Sequence, residues 1–373
     1  MKKLNMDKLE HNINEIAAYD LDRHNICGMS YCVSQGDRRF LRHFGQLSEG
    51  GAAPDDSTIF RMASMTKPVT AVAALMLCDR GMISLSEPVK KYIPAFGDIH
   101  IITPEGEDLG VTPTDVTLLH LLTHTSGIGS LKPGNLNEDD LKCYDSSIAY
   151  FLKAGLDFEP MTHQWYSAFA AFDVMASIIE QVTGQDYEEF LQTELFAPCG
   201  MTDTTFTPSA AQWERIIPMH ERVEEKNAVG WTVPGCVFEG FPCAHKAAGA
   251  GLISTLSDYT AFARMLLHRG VTESGRRILS EEAVSQMGRP QVPVAVMPGN
   301  QNWGLGVRVI TEESYGALPV GSFGWSGAYG THFWVDPADD LVAVFMKNSR
   351  FDGGAGNQSA CRFEWAVQGA LED

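Results

Sequence analysis

The sequence predicts an α/β sheet domain built from both ends of the chain, with a large all-α domain inserted between them. Strand patterns occur near the N-terminus and return only late in the sequence, while helical patterns fill the middle. The early strands need the late ones to complete one sheet, which places helices from the two termini beside it. We expect residues 1–60 and 246–373 to form the sheet domain and residues 61–245 the helical domain. The active site is expected at the seam between them.

The first predicted element is an amphipathic helix in "MKKLNMDKLEHNINEIAAYDLD". Its apolar residues Leu4, Leu9, Ile13 and Ile16 recur at helical spacing, and polar residues interrupt the apolar stretch that an export signal would need. The next two elements, "CGMSYCVSQG" and "RRFLRHFGQL", alternate as strands do, and the turn at residues 36–37 fits a hairpin.

Composition excludes several classes of partner. The chain has 373 residues, of which 44% are hydrophobic, so it can bury a full core. It has 47 acidic and 28 basic residues and a net charge of −19, which disfavours nucleic acid and anionic membranes. It contains no run of 18 apolar residues, so we expect no membrane-spanning helix. The eight cysteines are expected to be free thiols in a reducing compartment, which predicts a cytoplasmic protein.

A helix from Pro68 to about Cys78 is predicted in "FRMASMTKPVTAVAALML", and it is apolar on every face, as a fully buried helix would be. At its start stand Ser64 and Lys67, the one Ser-x-x-Lys in the sequence. Residues three apart share a helix face, so the hydroxyl and the amine can meet. A lysine in a dry pocket can lose its proton and activate a serine nucleophile. The alternative is a surface serine near a solvated lysine.

Helical patterns follow in "LLHLLTH", "FAAFDVMASIIEQVTG" and "DYEEFLQTELF", the second ending at Gly184. Strands return in "NWGLGVRVI", "PVGSFGWSG", "THFWVDP" and "LVAVFMKNS", and "ACRFEWAVQGAL" predicts a closing helix.

From about residue 30 to the C-terminus, the chain resembles the serine β-lactamase-like superfamily. This superfamily includes class C β-lactamases, D-alanyl-D-alanine peptidases and family VIII carboxylesterases. The resemblance is carried, in the family's order, by "FRMASMTKPVTAVAALML", "LLTHTSGI", "VTGQDYEEFLQTELFAPCGMTDTTF" and "AGAGLISTLSDYTAFARMLL". It implies a β-lactamase/transpeptidase-like fold with an antiparallel sheet, and it implies no cofactor and no metal.

The resemblance also implies roles for two further motifs. The family's Tyr-x-Asn matches "YSA", which keeps Tyr166 and has Ala168 in place of the asparagine. A phenol beside a lysine ammonium ionises more easily, so we expect Tyr166 to carry protons between Ser64 and the leaving group. The alternative is a tyrosine that only packs at a helix start.

The family's third motif, Lys-Thr-Gly or His-x-Gly, aligns with "WSG" at Trp325, Ser326 and Gly327, a variant that is similar to family VIII esterases. We expect these three residues and Ala168 to contact substrate. By resemblance, the backbone N–H groups of Ser64 and Ala328 form the oxyanion hole. The alternative for Trp325 is an aromatic residue of the core.

Three other motifs are weaker. "GWSGA" is close to the Gly-x-Ser-x-Gly elbow of α/β-hydrolases, but the only later histidine is His332, six residues on. His120 and His124 have a metal-like spacing, yet the glutamate of His-Glu-x-x-His is absent, so we expect structural histidines. "DGGAGN" lacks the lysine and spacing of a phosphate loop and is interpreted as a loop.

Together these features predict a serine hydrolase that acts through a Ser64 acyl-enzyme on a small-molecule ester or amide, most simply an esterase for neutral short-to-medium acyl esters. One alternative is a β-lactamase or D-amino-acid peptidase, which the missing export signal disfavours. The other is a catalytically silent binding protein. The aromatic-rich stretch at residues 231–243 is interpreted as a lid. The sequence does not indicate an oligomeric state.

Overall fold

The computed structural model of the chain describes residues 1–24, 26–48, 50–129, 139–140, 142–223, 226–229, 236–238, 241–313 and 318–373. The helices in chain order are α1 Met6–Asp22, α2 Thr66–Asp79, α3 Leu118–Leu122, α4 Tyr144–Ala154, α5 Ala170–Thr183, α6 Tyr187–Leu191, α7 Ala197–Cys199, α8 Ala210–Trp213, α9 Leu256–Leu267, α10 Glu281–Met287 and α11 Gln358–Gln368. The strands are β1 Lys3–Leu4, β2 Gly28–Gln35, β3 Arg38–Gly45, β4 Ile59–Arg61, β5 His100–Ile102, β6 Asp108–Val111, β7 His220–Val223, β8 Lys226–Val229, β9 Cys236–Phe238, β10 Phe241–Pro242, β11 Ile253–Thr255, β12 Gln301–Trp303, β13 Arg308–Ile310, β14 Phe323–Ser326, β15 His332–Asp336, β16 Leu341–Met346 and β17 Leu371–Glu372.

The main sheet has seven antiparallel strands in the order β12-β13-β14-β15-β16-β2-β3. The N-terminal hairpin β2-β3 joins the C-terminal strands where β2 pairs with β16, and Tyr31 there lies opposite Phe345. The hairpin turns at Gly36, whose φ of +54° suits glycine. The predicted sheet, made from both ends of the chain, is therefore confirmed.

Helices from the two chain ends cover one face of this sheet, as the sequence predicted. Helices α1 and α11 pack together, and their apolar residues form one core cluster with the sheet side chains. Within it the Tyr31 and Phe345 rings stack with centroids 4.7 Å apart. Helix α9 covers the other face. Leu4 is an exception to the predicted helical spacing, because it lies in β1, paired with Leu371 of β17, and α1 begins after it with Asn5 as the N-cap.

Helix α2 lies at the centre of the helical part, and every residue from Thr66 to Leu77 is buried. It packs against α5 and α10, which explains why its sequence has no polar face. The proposed domain boundary at residues 60–61 falls inside β4, which pairs with β11. Helix α2 therefore starts where a small two-stranded sheet ties the two parts of the chain together.

Two local predictions were incomplete. "NWGLGVRVI" forms two strands, β12 and β13, because Gly306 takes a φ of +70° that allows a tight turn between them. The helical part also contains the β5-β6 hairpin, which helical periodicity did not indicate.

Most of the predicted lid, residues 231–243, lies outside the described residues. Of this stretch only the backbone of β9, β10 and the start of a 3-10 turn at Cys243–His245 is described. In the described part of the chain no helix is long and apolar enough to cross a membrane.

Candidate active site

Ser64 lies on a 3-10 turn, Ala63–Met65, that leads directly into α2. The sequence placed Ser64 at the start of a helix predicted from Pro68, and the structure begins that helix at Thr66, with Ser64 on the preceding turn. Ala63 has a φ of +46°, a left-handed conformation that costs a non-glycine residue on the order of 1 kcal/mol. The turn is held by hydrogen bonds from Thr66 Oγ1 to the Ala63 carbonyl, 2.7 Å, and from Tyr259 Oη to the Met65 carbonyl, 2.8 Å. The serine, which is partly exposed, is thereby held just before the N-terminal end of the buried helix α2.

Lys67 is fully buried on the first turn of α2. Its Nζ donates hydrogen bonds to Ser64 Oγ at 3.3 Å, to the Ala168 carbonyl at 2.7 Å and to the Gly249 carbonyl at 2.9 Å. Burial lowers the pKa of Lys67 to about 7, and the charge of Asp173 opposes this shift. Both protonation states are therefore available near neutral pH, as a base for Ser64 requires.

Asp173 did not stand out in the sequence analysis. It is a fully buried carboxylate on α5 that accepts hydrogen bonds from Ser147 Oγ at 3.0 Å and the Ala248 amide at 3.2 Å. His245 Nε2 lies 2.8 Å from the same carboxylate. The available indication was a single acidic residue inside the apolar stretch "FAAFDVMASII", since an acidic residue is rarely buried without partners.

Tyr166 stands beside Ser64 and shares a hydrogen bond with its side chain. Its ring centroid is 4.8 Å from Lys67 Nζ, and its Oη accepts a hydrogen bond from Trp325 Nε1 at 3.2 Å. Desolvation raises the pKa of Tyr166 to about 12, and the hydrogen bonds to Ser64 and Trp325 only partly oppose it. The expectation that the phenol ionises easily is therefore wrong. Of the two groups, Tyr166 is therefore a neutral hydroxyl near neutral pH, and Lys67 is the one that can lose its proton there.

An aromatic cluster surrounds the phenol. The ring centroids of Trp303 and Trp325 are 4.5 Å apart, and the Tyr166 ring is 5.5 Å from Trp325 and 6.0 Å from Trp303. Sequence reasoning missed Trp303, because an aromatic residue in an edge strand gives no local indication of a site. The cluster makes this side of the site apolar.

His124 packs against the Tyr166 ring and hydrogen-bonds to the backbone on both sides of it. Its Nδ1 accepts a hydrogen bond from the Ser167 amide at 3.1 Å, and its carbonyl accepts one from the Trp165 amide at 3.0 Å. The centroids of the His124 and Tyr166 rings are 4.5 Å apart. Burial, helped by the charge of Lys67, holds the pKa of His124 well below its usual range, so the imidazole is neutral. His124 thus fixes both the backbone and the ring of Tyr166.

His120 has a separate role from His124. Its Nδ1 accepts a hydrogen bond from the Thr117 amide at the N-cap of α3. In the ranges that the structure describes, no group of three His, Cys, Asp or Glu side chains is arranged to hold a metal ion.

The turn at residues 327–331, between β14 and β15, packs against the backbone that precedes Ser64. Thr331 Oγ1 donates a hydrogen bond to the Met62 carbonyl at 3.0 Å, and a Cβ on Gly327 would lie 2.3 Å from the same oxygen. Only glycine fits such an approach. Ala328 is exposed, and within the described part of the chain its N–H makes no hydrogen bond. We refer to residues 327–331 as the oxyanion turn, because the family resemblance implies that the Ala328 N–H contributes to the oxyanion hole.

Two of the predicted substrate contacts differ from expectation. Ser326 is buried, and its Oγ lies 2.8 Å from His332 Nδ1, so its side chain packs at the base of the oxyanion turn and on the opposite side of the strand from Trp325. The reason is that successive residues of a strand face opposite sides, and Trp325 takes the side of Tyr166. Ala168 contributes its backbone carbonyl to Lys67, and its methyl group offers no hydrogen bond where the family has an asparagine amide.

A Ser-x-x-Lys whose lysine is buried, with a tyrosine beside it and between an antiparallel sheet and a helical region, defines the class of active-site serine hydrolases with a β-lactamase/transpeptidase-like fold. Residues 9–359 match the beta-lactamase family, and the chain belongs to it.

Curated relatives agree with this assignment. The chain is 31% identical over 322 residues to an uncharacterised protein of Mycobacterium tuberculosis, covering 80% of this chain and 79% of the relative. It is 29% identical over 340 residues to esterase EstB of Burkholderia gladioli, covering 83% and 82%. It is 30% identical over 194 residues to the D-alanyl-D-alanine-carboxypeptidase/endopeptidase AmpH of Escherichia coli, covering 51% and 48%.

A solved structure with the same fold is EstCE1, described as a hydrolase with promiscuous acyltransferase activity. It matches with a TM-score of 0.81 and 20% identity, covering 97% of this chain and 98% of the other. The predicted fold and the predicted family are confirmed, and the protein is a serine hydrolase of the β-lactamase-like family.

Proposed function

We propose that the protein is a carboxylesterase that cleaves neutral esters with short-to-medium acyl chains. The observation that carries this proposal is the hydrogen bond from Trp325 Nε1 to Tyr166 Oη, which puts an indole where relatives place the lysine or histidine of their third motif. Trp325 and Ala168 supply no positive charge and no side-chain amide. A carboxylate buried there would lose its hydration without gaining a hydrogen-bond or charge partner, which costs on the order of several kcal/mol. A neutral acyl chain gains about 0.8 kcal/mol per buried CH₂.

The reaction begins with attack of Ser64 Oγ on the ester carbonyl. Lys67, in its neutral form, accepts the hydroxyl proton as the new C–O bond forms. The N–H groups of Ser64 and Ala328 bind the oxyanion of the tetrahedral intermediate. Tyr166 then passes a proton to the alcohol oxygen as that C–O bond breaks, and the proton is replaced from Lys67. The alcohol leaves and the acyl group stays on Ser64.

Deacylation reverses the proton path. A water attacks the acyl carbonyl and gives a proton to the Lys67–Tyr166 pair, and the Ser64 oxygen leaves as the serine takes that proton back. Acid and free enzyme result, with all protons balanced.

A second candidate is a peptidase or β-lactamase, favoured by the match to AmpH, a D-alanyl-D-alanine-carboxypeptidase/endopeptidase. Substrates of that kind carry a carboxylate, so Trp325 and Ala168 count against it. We also propose a small-molecule substrate and a cytoplasmic location. The location is supported by Cys32, Cys78, Cys143, Cys199 and Cys361, which are thiols and form no disulfide in the described part of the chain.

The test is a panel of p-nitrophenyl esters of increasing acyl length, measured beside the chromogenic cephalosporin nitrocefin. We expect the highest kcat/KM for a short or medium ester and little turnover of nitrocefin. Turnover of nitrocefin equal to that of the best ester would support the β-lactamase candidate. The control is Ser57→Ala, an exposed serine seven residues from Ser64, which should leave every value unchanged.

A further inference from the structure

The segment at residues 352–357, "DGGAGN", lies against the oxyanion turn. The Gly354 amide donates a hydrogen bond to the Gly327 carbonyl at 2.9 Å, and a Cβ on Gly353 would lie 1.9 Å from the Ala328 carbonyl oxygen. Glycine at residue 353 is therefore required for the contact. We call residues 352–357 the glycine loop.

This contact fixes the direction of one N–H group. The Gly327 carbonyl and the Ala328 N–H belong to the same trans peptide unit, so they point in opposite directions. The carbonyl is held by two amides, those of Gly330 and Gly354, each at 2.9 Å. Because the oxygen is held toward the glycine loop, the Ala328 N–H is directed away from it and stays free of internal partners in the described part of the chain.

A buried ionic cluster anchors the glycine loop. Lys347, fully buried at the end of β16, donates hydrogen bonds to Asp352 Oδ2 at 3.0 Å and to Ser359 Oγ at 2.7 Å. Asp352 Oδ2 also accepts hydrogen bonds from the hydroxyl of Ser359 at 2.6 Å and from its amide at 3.1 Å. Asp352, the first residue of the loop, is thereby tied to the N-terminal end of α11.

The side-chain carbons of the same lysine also contact the oxyanion turn. A Cβ on Gly330 would lie 2.0 Å from Lys347 Cε, so the lysine stem runs in contact with the turn. One side chain thus touches the turn with its stem and binds the loop with its ammonium group. Burying such a pair costs desolvation energy that an apolar pair of the same volume would avoid. An apolar pair could not bind the Asp352 carboxylate and so fix the loop.

We propose that Lys347 and Asp352 are positioning residues for the oxyanion hole, acting through the glycine loop on the Ala328 N–H. The inference rests on the proposed function, because it takes that N–H as a donor to the oxyanion. In the hydrogen bonds and ion pairs of the described residues, neither side chain contacts Ser64, Lys67 or Tyr166.

The experiment compares Asp352→Asn, Lys347→Met and Gly353→Ala with the wild type on the best p-nitrophenyl ester. Active sites are titrated with a fluorophosphonate, and kcat is calculated from the concentration of active sites, so that unfolded protein is not counted as enzyme. We expect kcat to fall about 10- to 100-fold, since loss of one oxyanion donor costs about 100- to 1000-fold and a displaced donor costs less. KM should change little, and the pH dependence of kcat/KM should keep its midpoint because Lys67 and Tyr166 are unchanged.

The matched control is Gly356→Ala. Gly356 lies in the same loop with a φ of +73°, and a Cβ there meets no atom within 4 Å. This variant strains the loop without pushing on the turn, so we expect a lower Tm and a wild-type kcat.

Wild-type kcat in Asp352→Asn and Lys347→Met would overturn the inference, and so would a Gly356→Ala variant that loses as much kcat as Gly353→Ala. If Gly353→Ala does not fold, the other two variants decide. A wild type that turns over no ester overturns the proposed function instead.

Discussion

Lys67 Nζ lies 3.3 Å from Ser64 Oγ and also donates to the carbonyls of Ala168 and Gly249. The two carbonyls aim the ammonium group, and they come from two segments, one before α5 and one before β11. Burial of the amine competes with these acceptors and with the charge of Asp173, and the pKa shift shows that burial dominates. The geometry therefore makes Lys67 a base of moderate strength directed at the nucleophile.

The first prediction follows from this pKa. Neutral Lys67 is the active form, and it is populated above its pKa of about 7. We therefore expect kcat/KM to rise with pH through about 7 and then reach a plateau, because the pKa of Tyr166 is raised to about 12 and leaves it protonated. A pH profile on a neutral ester measures this. A profile that is flat between pH 5 and 9 would show that Lys67 is not the base.

The second prediction concerns the nucleophile. A fluorophosphonate should add one covalent group, on Ser64, as read by peptide mass spectrometry. Ser64→Ala should abolish the adduct and lower kcat by at least about 1000-fold, because the nucleophile and its base act as one unit. An adduct on Ser326, with activity kept in Ser64→Ala, would contradict the mechanism.

The third prediction concerns the phenol. Tyr166→Phe keeps the ring in the aromatic cluster and removes only the hydroxyl that joins Ser64 and Trp325. We expect kcat to fall about 100-fold with little change in KM, since proton transfer belongs to the transition state. Tyr19→Phe, at an exposed position on α1, is the control. An unchanged kcat in Tyr166→Phe would make Tyr166 a packing residue.

The fourth prediction separates two roles of His124. His124→Asn keeps an acceptor near the Ser167 amide and tolerates the left-handed φ of +57°, whereas His124→Phe keeps a ring and loses the acceptor. A buried amide left without a partner costs about 1–3 kcal/mol. We therefore expect the Phe variant to be less stable in urea unfolding and to have the lower kcat. A larger loss in His124→Asn than in His124→Phe would mean that ring packing, and not the hydrogen bond to the Ser167 amide, holds Tyr166.

The sequence predicted the parts of this site that rest on local spacing. Ser64 and Lys67 are three residues apart, and the 3-10 turn continues directly into α2, so their proximity follows from helical spacing. Tyr166 and Ala328 came only from resemblance, because about 100 residues or more separate each from Ser64 and Lys67. Trp303 was missed because nothing local distinguishes an aromatic residue in a strand. Asp173 and Lys347 were missed although each is a charge beside apolar residues, because the sequence does not show what such a charge binds. The pKa of Tyr166 was predicted in the wrong direction, because neighbouring charge was considered and desolvation was not.

The last prediction tests why the site should prefer esters. Trp325 Nε1 binds Tyr166 Oη, and Trp325 has no charge to hold a substrate carboxylate. Trp325→Lys would place an ammonium group at the same strand position and remove the indole ring that packs against Trp303 in the aromatic cluster. We expect the ratio of kcat/KM for p-nitrophenyl butyrate to that for nitrocefin to be at least about 100 in the wild type, which corresponds to about 2.8 kcal/mol, since each factor of ten is 1.4 kcal/mol. The ratio should narrow in Trp325→Lys, mainly through faster turnover of nitrocefin.

Trp325→Phe is the control, because it removes the indole N–H without adding charge and should not gain nitrocefin turnover. If Trp325→Phe and Trp325→Lys narrow the ratio equally, space and not charge sets the preference, and a narrow ratio in the wild type would favour the β-lactamase candidate.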